Sequence, residues 1–292
     1  MNLDYVYQVE HFVQPGETIS ALSQAVNPGG KGLNQSIALA RAGADIWHAG
    51  CAGQGGEQLV RLMEESGVHT GLIRQVEEIQ GNAVIQVNRE GQNCILLFGG
   101  SNQCITKEQI HDTLSGFCEG DYLILQNEVN LLAQIVDAAH DKGMTIIMNP
   151  SPYDDKLLAI DFGKLDWLLV NEVEAAQLSG SEDPQEAWRL LHDRYPHMKL
   201  LITLGSAGSM VFTEDQMFRQ DALHVKAVDT TAAGDTFTGY FVAGLMAGLP
   251  IPECMKQATI ASAISVTRAG AAPSIPDKAE VEAWGESEGR GN

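Results

Sequence analysis

Basic residues are scarce in this chain: 18 Lys and Arg stand against 38 Asp and Glu among 292 residues, a net charge of −20. A surface that acidic repels phosphate backbones and anionic headgroups, so neither nucleic acid nor a membrane is an expected partner. Long apolar runs are missing too. None approaches the ~18 to 20 residues that span a bilayer, and Met1-Asn2-Leu3-Asp4-Tyr5 lacks the basic stretch that opens a secretory leader. The expected location is the cytoplasm. Cysteine is sparse, odd in number and scattered (Cys51, Cys94, Cys104, Cys118, Cys254), without a C-x-x-C pair, as befits packing residues where thiols stay reduced. The eight histidines form no H-x-H or H-E-x-x-H pair, which leaves a histidine-based metal site without support. Internal repeats and low-complexity linkers are absent as well.

What is present is a globular composition, 44% apolar and 19% charged, long enough for one large domain with a small appendage. Short apolar runs alternate with amphipathic helices: Ile46 to Cys51 then Glu57 to Ser66, Tyr122 to Gln126 then Leu131 to Lys142, then Met144 to Met148. That is the rhythm of βαβ units. Asn130 is the expected cap of the helix from Leu131, and Gly143 its stop. Trp167 to Val170, Lys199 to Thr203 and Met210 to Phe212 read as further strands, followed by helices from about Ala233 and Pro252. Two β pairs stand apart from this pattern. Tyr5 to Val9 with Thr18 to Val26, and Ala83 to Asn88 with Asn93 to Phe98 around the turn Arg89-Glu90-Gly91-Gln92, suggest one small sheet. Gly285 to Asn292 reads as a frayed end.

Two segments carry chemistry. Asn27-Pro28-Gly29-Gly30-Lys31-Gly32-Leu33-Asn34-Gln35 runs into a helix expected from Ser36; its glycines allow close backbone approach, and amides at a helix start favour hydroxyl or anionic groups. Neither a Walker A nor a Rossmann spacing is met. Val228-Asp229-Thr230-Thr231-Ala232-Ala233-Gly234-Asp235-Thr236 opens a second helix. Small residues Ala232, Ala233 and Gly234 expose successive amides as an anion hole, and Asp235 stands in the first turn ready to accept a hydroxyl proton. The plain alternative is that Asp235 only complements the helix dipole.

Together these segments resemble the two signatures of the ribokinase family of carbohydrate kinases, the PfkB group, and the similarity covers nearly the whole chain. Asn2-Leu3-Asp4 resembles the family's N-x-D segment, Gly81 to Ile85 through Gly99 to Asn102 its lid hairpin, and Asn171-Glu172-Val173-Glu174 and Thr203 to Gly208 its nucleotide-side motifs. At Gly53-Gln54-Gly55-Gly56 the chain departs from it, with Gly55 where an acidic residue is common. The resemblance implies an α/β fold, a doubly wound and mainly parallel sheet flanked by helices, as a single domain over residues 1–292 with a β lid from about 5–27 and 81–99.

It further implies that Asn2, Asp4, Gly30, Lys31, Asn34 and Glu128 hold sugar hydroxyls, with Asp235 as base and the amides of Ala232, Ala233, Gly234 and Asp235 on the γ-phosphate. Asn171 and Glu174 would face phosphates and Mg²⁺, although their spacing is also that of a helix capping box. Thr203, Leu204, Gly205, Ser206, Ala207 and Gly208 would line the ATP site, and Asp229, Thr231, Ser265, Arg268, Gly270 and Ser274 would surround K⁺. The implied reaction is phosphorylation of a primary hydroxyl of a neutral sugar, ribose first, then fructose or a nucleoside. A sugar-binding regulator without catalysis is the rival from another class. A homodimer through the lid is implied, because so small a sheet is marginal alone. In the family an apolar strand precedes the N-x-D segment, whereas here Met1 precedes Asn2 directly. The expectation is a missing strand of roughly six to eight residues, two open ladder edges, and poor support for Asn2 and Asp4.

Overall fold

Alternation along the inner strands decides the architecture. In the computed structural model, which describes residues 1–289, Trp167, Leu169, Leu201 and Val211 enter one core while Leu168, Val170, Leu200 and Phe212 enter another. Neighbouring side chains point to opposite faces, so both faces of the sheet are buried and both need helices.

In chain order the elements are β1 (Asn2–Gln8), β2 (Ser23–Gly29), α1 (Lys31–Arg41), β3 (Trp47–Gln54), α2 (Glu57–Glu65), β4 (His69–Ile79), β5 (Asn82–Val87), β6 (Asn93–Phe98), α3 (Lys107–Ser115), β7 (Tyr122–Gln126), α4 (Leu132–His140), β8 (Thr145–Asn149), β9 (Trp167–Asn171), α5 (Glu172–Ser179), α6 (Pro184–Arg194), β10 (Lys199–Thr203), β11 (Ser209–Phe212), β12 (Met217–Gln220), α7 (Ala233–Met246), α8 (Ile251–Val266) and α9 (Lys278–Gly289). The largest sheet has the order β12-β11-β10-β9-β8-β7, parallel from β7 to β10 and antiparallel at β11 and β12. Residues of α1, α7 and α8 fill one core, and residues of α3 to α6 fill the other. This is the doubly wound α/β fold expected.

The two β pairs form one sheet, β2-β1-β5-β6, with β1 antiparallel to β2 and parallel to β5. All of β6 is exposed, including Leu96 at 71% and Phe98 at 50%.

Three local expectations are corrected, and one strand is new. Helix α1 begins at Lys31 rather than Ser36, because Gly30 turns the chain at φ +91° and the polar residues Asn34 and Gln35 are buried inside the helix instead of lying in a loop. Asn130 does not cap α4; Leu131, at φ 59°, leads into it, while the Asn130 amide spans the backbone of Ile105, accepting from its N–H at 3.1 Å and donating to its carbonyl at 2.9 Å. Strand β4 was not anticipated, since its sequence His69–Ile79 offers no apolar run. The segment from Gly285 continues α9 through Gly289, and the rest of that expected frayed end, 290–292, lies outside the described residues.

One junction matters for the site. Among the described residues, strand β3 pairs only with β4, and β7 only with β8. Between these two open edges lies a cavity of about 420 Å³, lined by Ala49 and Cys51 of β3, Leu123 and Leu125 of β7, Leu39 of α1 and Ile110 of α3, with Met1 also on its wall.

Candidate active site

Register brings the N-terminal strand to the start of α1. Asn2 pairs opposite Gly29 and Asp4 opposite Asn27, and a Cβ on Gly29 would collide with the Asp4 carboxylate, so glycine there gives Asp4 its room. The first amide of α1, on Lys31, donates to Glu128 Oε2 at 3.1 Å, just beyond the end of β7. One turn further, Asn34 Nδ2 donates to Asp235 Oδ2 at 2.9 Å and Gln35 Nε2 to Asp235 Oδ1 at 3.0 Å. Asp235 is 8% exposed and Asn34 5%. The Asn34 Oδ1 is buried without a partner among the described residues; a buried acceptor in that state calls for a donor.

Three carboxylates therefore share this pocket. Burial, then the charges of Glu128 and Asp235, push the Asp4 carboxyl up to about 7, against the opposing pull of the Met1 amine. Burial also pushes Glu128 up, with Asp235 adding to it and the Met1 amine and Lys31 opposing. Carboxylates that gain by hydroxyl donors, and one nearby lysine, suit a neutral polyol better than an anion. Asn2 uses its Oδ1 to accept from Asn102 Nδ2 at 2.7 Å, and its own Nδ2 has no described partner.

Asp235 sits in the first turn of α7, preceded by Ala232 in the left-handed region at φ 62°. Non-glycine residues held there carry strain and cluster at functional sites. The Ala233 amide closes a turn onto Thr230 O at 3.2 Å. The amides of Gly234 and Asp235 have no partner among the described hydrogen bonds, and the space a Gly234 side chain would take is open. Of the four residues expected to offer amides, Ala233 is engaged, and Ala232, like Gly234 and Asp235, has no described partner for its amide, which leaves three free to hold an anion at the helix start.

The nucleotide-side motifs end two adjacent strands at the same height, Thr203 of β10 opposite Asn171 of β9. This is the carboxyl edge of the parallel strands, where open α/β sheets bind ligands. Asn171 and Glu174 form a full capping box: Asn171 Oδ1 accepts from the Glu174 amide at 2.8 Å, and Glu174 Oε2 from the Asn171 amide at 3.1 Å. Residues 203–208 make a tight turn closed by the Leu204 amide on Gly208 O at 2.8 Å. At φ +95° a Cβ on Gly208 would strike the backbone of Gln220. No described hydrogen bond joins these motifs to Asp235.

Of the residues expected around a cation, Asp229 accepts from the amides of Thr231 and Gly270, both at 2.9 Å. Burial would push its carboxyl up, but these hydrogen bonds outweigh it and hold it below the usual value. Arg268 is turned away onto Glu280 at 2.6 Å, and the hydroxyls of Ser265 and Ser274 donate to the carbonyls of Ser262 and Ala271. The side chains thus do not converge on a cation, whereas backbone carbonyls of this loop remain as donors of lone pairs. Two residues given no role by the sequence stand out: Gln35 on Asp235, and Gln126, whose Nε2 donates to Gln35 Oε1 at 2.7 Å. The only sequence signal for Gln35 was its place beside Asn34; Gln126 had none.

A family model described as pfkB family carbohydrate kinase matches residues 1–278. Among curated relatives, a ribokinase of Haemophilus influenzae is 34% identical over 96% of this chain and 94% of its own length. One of Staphylococcus aureus is also 34% identical, over 96% and 95%. Among solved structures, ribokinase from Thermotoga maritima superposes with a TM-score of 0.86 at 34% identity, covering 98% of this chain and 96% of that one. Arabidopsis thaliana ribokinase complexed with ribose and ATP does so with a TM-score of 0.84 at 28% identity, covering 97% and 95%.

Proposed function

We propose a reaction from one premise: the chain belongs to the pfkB family of carbohydrate kinases. It phosphorylates ribose at its primary hydroxyl with ATP, giving ribose 5-phosphate and ADP. The observation that carries this reading is the Asp235 carboxylate, fixed by two side-chain amides beside the free amides of Gly234 and Asp235, in a pocket otherwise lined with acceptors.

Asp4, Glu128 and the open Asn34 Oδ1 accept from sugar hydroxyls, with Asn2, Gly30 and Lys31 completing the cradle. Each carboxylate oxygen of Asp235 keeps a lone pair beyond its amide bond. That lone pair takes the proton of the primary hydroxyl as its oxygen bonds to the γ-phosphorus and the bond from that phosphorus to the β–γ bridging oxygen breaks. The amides of Gly234 and Asp235 receive the charge on the γ-phosphate oxygens. The turn 203–208 receives the nucleotide.

Bound with ATP, Mg²⁺ supplies charge neutralisation of the phosphate oxygens. Glu174 Oε2 is used by the capping box, so its other oxygen is the group that fits a hydrated Mg²⁺. K⁺ fits only as an ion of the carbonyls around Asp229, Thr231, Ser265 and Gly270, steadying the loop ahead of the anion site. The cytoplasm, where ATP is supplied and the five free thiols stay reduced, is the proposed location.

The β2-β1-β5-β6 sheet serves as the lid, and its exposed apolar strand β6 pairs with a second copy, since a patch of that kind marks an interface. Light scattering at micromolar concentration should give a dimer; a monomer removes this part of the reading. ADP release over a panel of sugars and nucleosides tests the reaction. Ribose should have the highest kcat/KM, and no release with any sugar would leave the silent binder in its place.

A further inference from the structure

Gln35 closes the segment Asn27 to Gln35 without a role of its own and Gln126 belongs to no motif assigned above, yet they lie in series behind Asp235. Gln35, 1% exposed, donates to Asp235 Oδ1 at 3.0 Å, and Gln126 donates to Gln35 Oε1 at 2.7 Å. The order of atoms in this chain is forced. An ionised carboxylate only accepts, so Gln35 must turn its NH₂ to Asp235 and leave its carbonyl oxygen facing away. A buried carbonyl oxygen needs a donor, and Gln126, the last residue of β7, supplies it. Gly32 leaves the space, since a Cβ there would lie 3.0 Å from Gln126 Oε1.

We infer that Gln126 and Gln35 are positioning residues for Asp235: Gln126 sets which way round the Gln35 amide sits, and that amide holds the carboxylate so that a lone pair faces the acceptor hydroxyl. This rests on Asp235 as the proton acceptor. If the glutamines merely tied α1 to β7, their loss would lower stability and leave the chemical step alone.

The experiment measures kcat, KM for ribose and for ATP, and Tm for Gln35→Leu, Gln126→Leu, Gln126→Glu, the double variant Gln35→Leu/Gln126→Glu, and Asp235→Asn. Gln126→Glu is the diagnostic change. A carboxylate at 126 only accepts, so it draws the Gln35 NH₂ to itself and turns Oε1 onto Asp235. Its kcat should fall about 10- to 100-fold, the scale of a misplaced catalytic group, with KM for ribose within about threefold. Gln126→Leu should fall less, because Asp235 alone still orients Gln35. In the Gln35→Leu background Gln126→Glu should lose less than about twofold more, there being no amide left to turn.

Equal kcat losses in Gln126→Leu and Gln126→Glu, additive losses in the double variant, or a drop in Tm without a drop in kcat would overturn the inference. If Gln35→Leu does not fold, Gln35→Met, of the same length, replaces it. Asp235→Asn separates this inference from the reading beneath it. Full turnover in Asp235→Asn overturns the base assignment itself, whereas an inactive Asp235→Asn with a silent Gln126→Glu overturns the positioning role alone.

Discussion

The two halves of the site are built by opposite means. On the sugar side the bonds join residues far apart in sequence, Lys31 to Glu128 across 97 positions and Asn34 to Asp235 across 201, and the cavity between β3 and β7 lies behind them. On the nucleotide side the bonds are local, Asn171 to Glu174 and Leu204 to Gly208, on strands β9 and β10 that are paired along both edges. Placing several like charges in one pocket needs the whole fold to hold them, whereas a phosphate cradle can be made from turns and helix starts. Damage should therefore spread on the sugar side and stay local on the nucleotide side.

The sharpest break is Asp235→Asn. It keeps the shape and loses the proton acceptor, so turnover should fall by about 10² to 10⁴, with ribose affinity changed far less. Single-turnover kinetics beside a ribose titration separates the two; near wild-type turnover would remove Asp235 from the mechanism.

Asp4 tests the charge crowding next. In the fold its carboxyl holds its proton up to about pH 7, against an ordinary value of 3.8. Between those values the folded state binds a proton that the unfolded chain has released, so stability falls as pH rises through that window; Glu128, shifted the same way, adds to the trend. Asp4→Asn should flatten the slope and raise Tm at pH 8 by about 3 °C, the shift that ~1 kcal/mol makes in a chain of this size. Ribose affinity should fall about tenfold in the same protein, the loss of one charge-assisted bond of ~1.5 kcal/mol. Thermal melts from pH 4 to 8 and calorimetric titration with ribose read both; a parallel melting profile would show that Asp4 is not strained by its neighbours.

How much of this was legible follows the same division. Capping-box spacing at Asn171 and Glu174 and the small residues before Asp235 are local patterns, and the sequence shows them outright. The strands β7 to β10 were legible because both faces are buried and their apolar runs are continuous. Residues such as Asp4, Glu128 and Lys31 gave no local sign of meeting, and only the likeness to a family placed them together. Gln35 stood at the end of the first signature segment without a role, and Gln126 escaped both routes, since an amide pair leaves no charge or spacing to read. Strand β4 escaped for another reason: with one edge and much of its surface open to solvent, it has no apolar run to betray it.

Filling the cavity between β3 and β7 should strengthen the sugar side and leave the nucleotide side as it is, because Gln35, Gln126 and Glu128 line it and the nucleotide-side motifs do not. Met1 lies on the cavity wall and its carbonyl is bridged through Gln80 to the Gly53 amide near the carboxyl end of β3, so residues joined ahead of Met1 are expected to run between the two edges. Five or six apolar residues with alternating β-branched side chains should pair with both. Tm should rise by about 2 to 4 °C per kcal/mol gained, and ribose should bind several-fold more tightly because less of the pocket is ordered at binding. KM for ATP should stay as it was. Equal Tm and equal ribose affinity in the extended and unextended proteins would mean that these edges accept no strand.

The smallest expected effect decides between two roles for Glu174. The capping box asks only for an acceptor at its tip, and glutamine has one, so Glu174→Gln should keep the box and leave Tm within about 1 °C. Glu174→Ala loses the box and should lower stability by ~1 kcal/mol, the usual worth of such a cap. If Glu174 also serves the phosphates and their Mg²⁺, the charge lost in Glu174→Gln should raise KM for ATP by about fivefold, an interaction of ~1 kcal/mol. The Mg²⁺ needed for half activity should rise alongside, and KM for ribose should not move. Titrating ATP and Mg²⁺ separately against both variants gives the answer. An unchanged KM for ATP in Glu174→Gln, with the loss confined to the Tm of Glu174→Ala, would make this pair a helix cap and nothing more. The phosphates would then fall to the amides of Gly234 and Asp235 and to the turn 203–208, and the nucleotide side would prove still more local in its construction than its hydrogen bonds suggest.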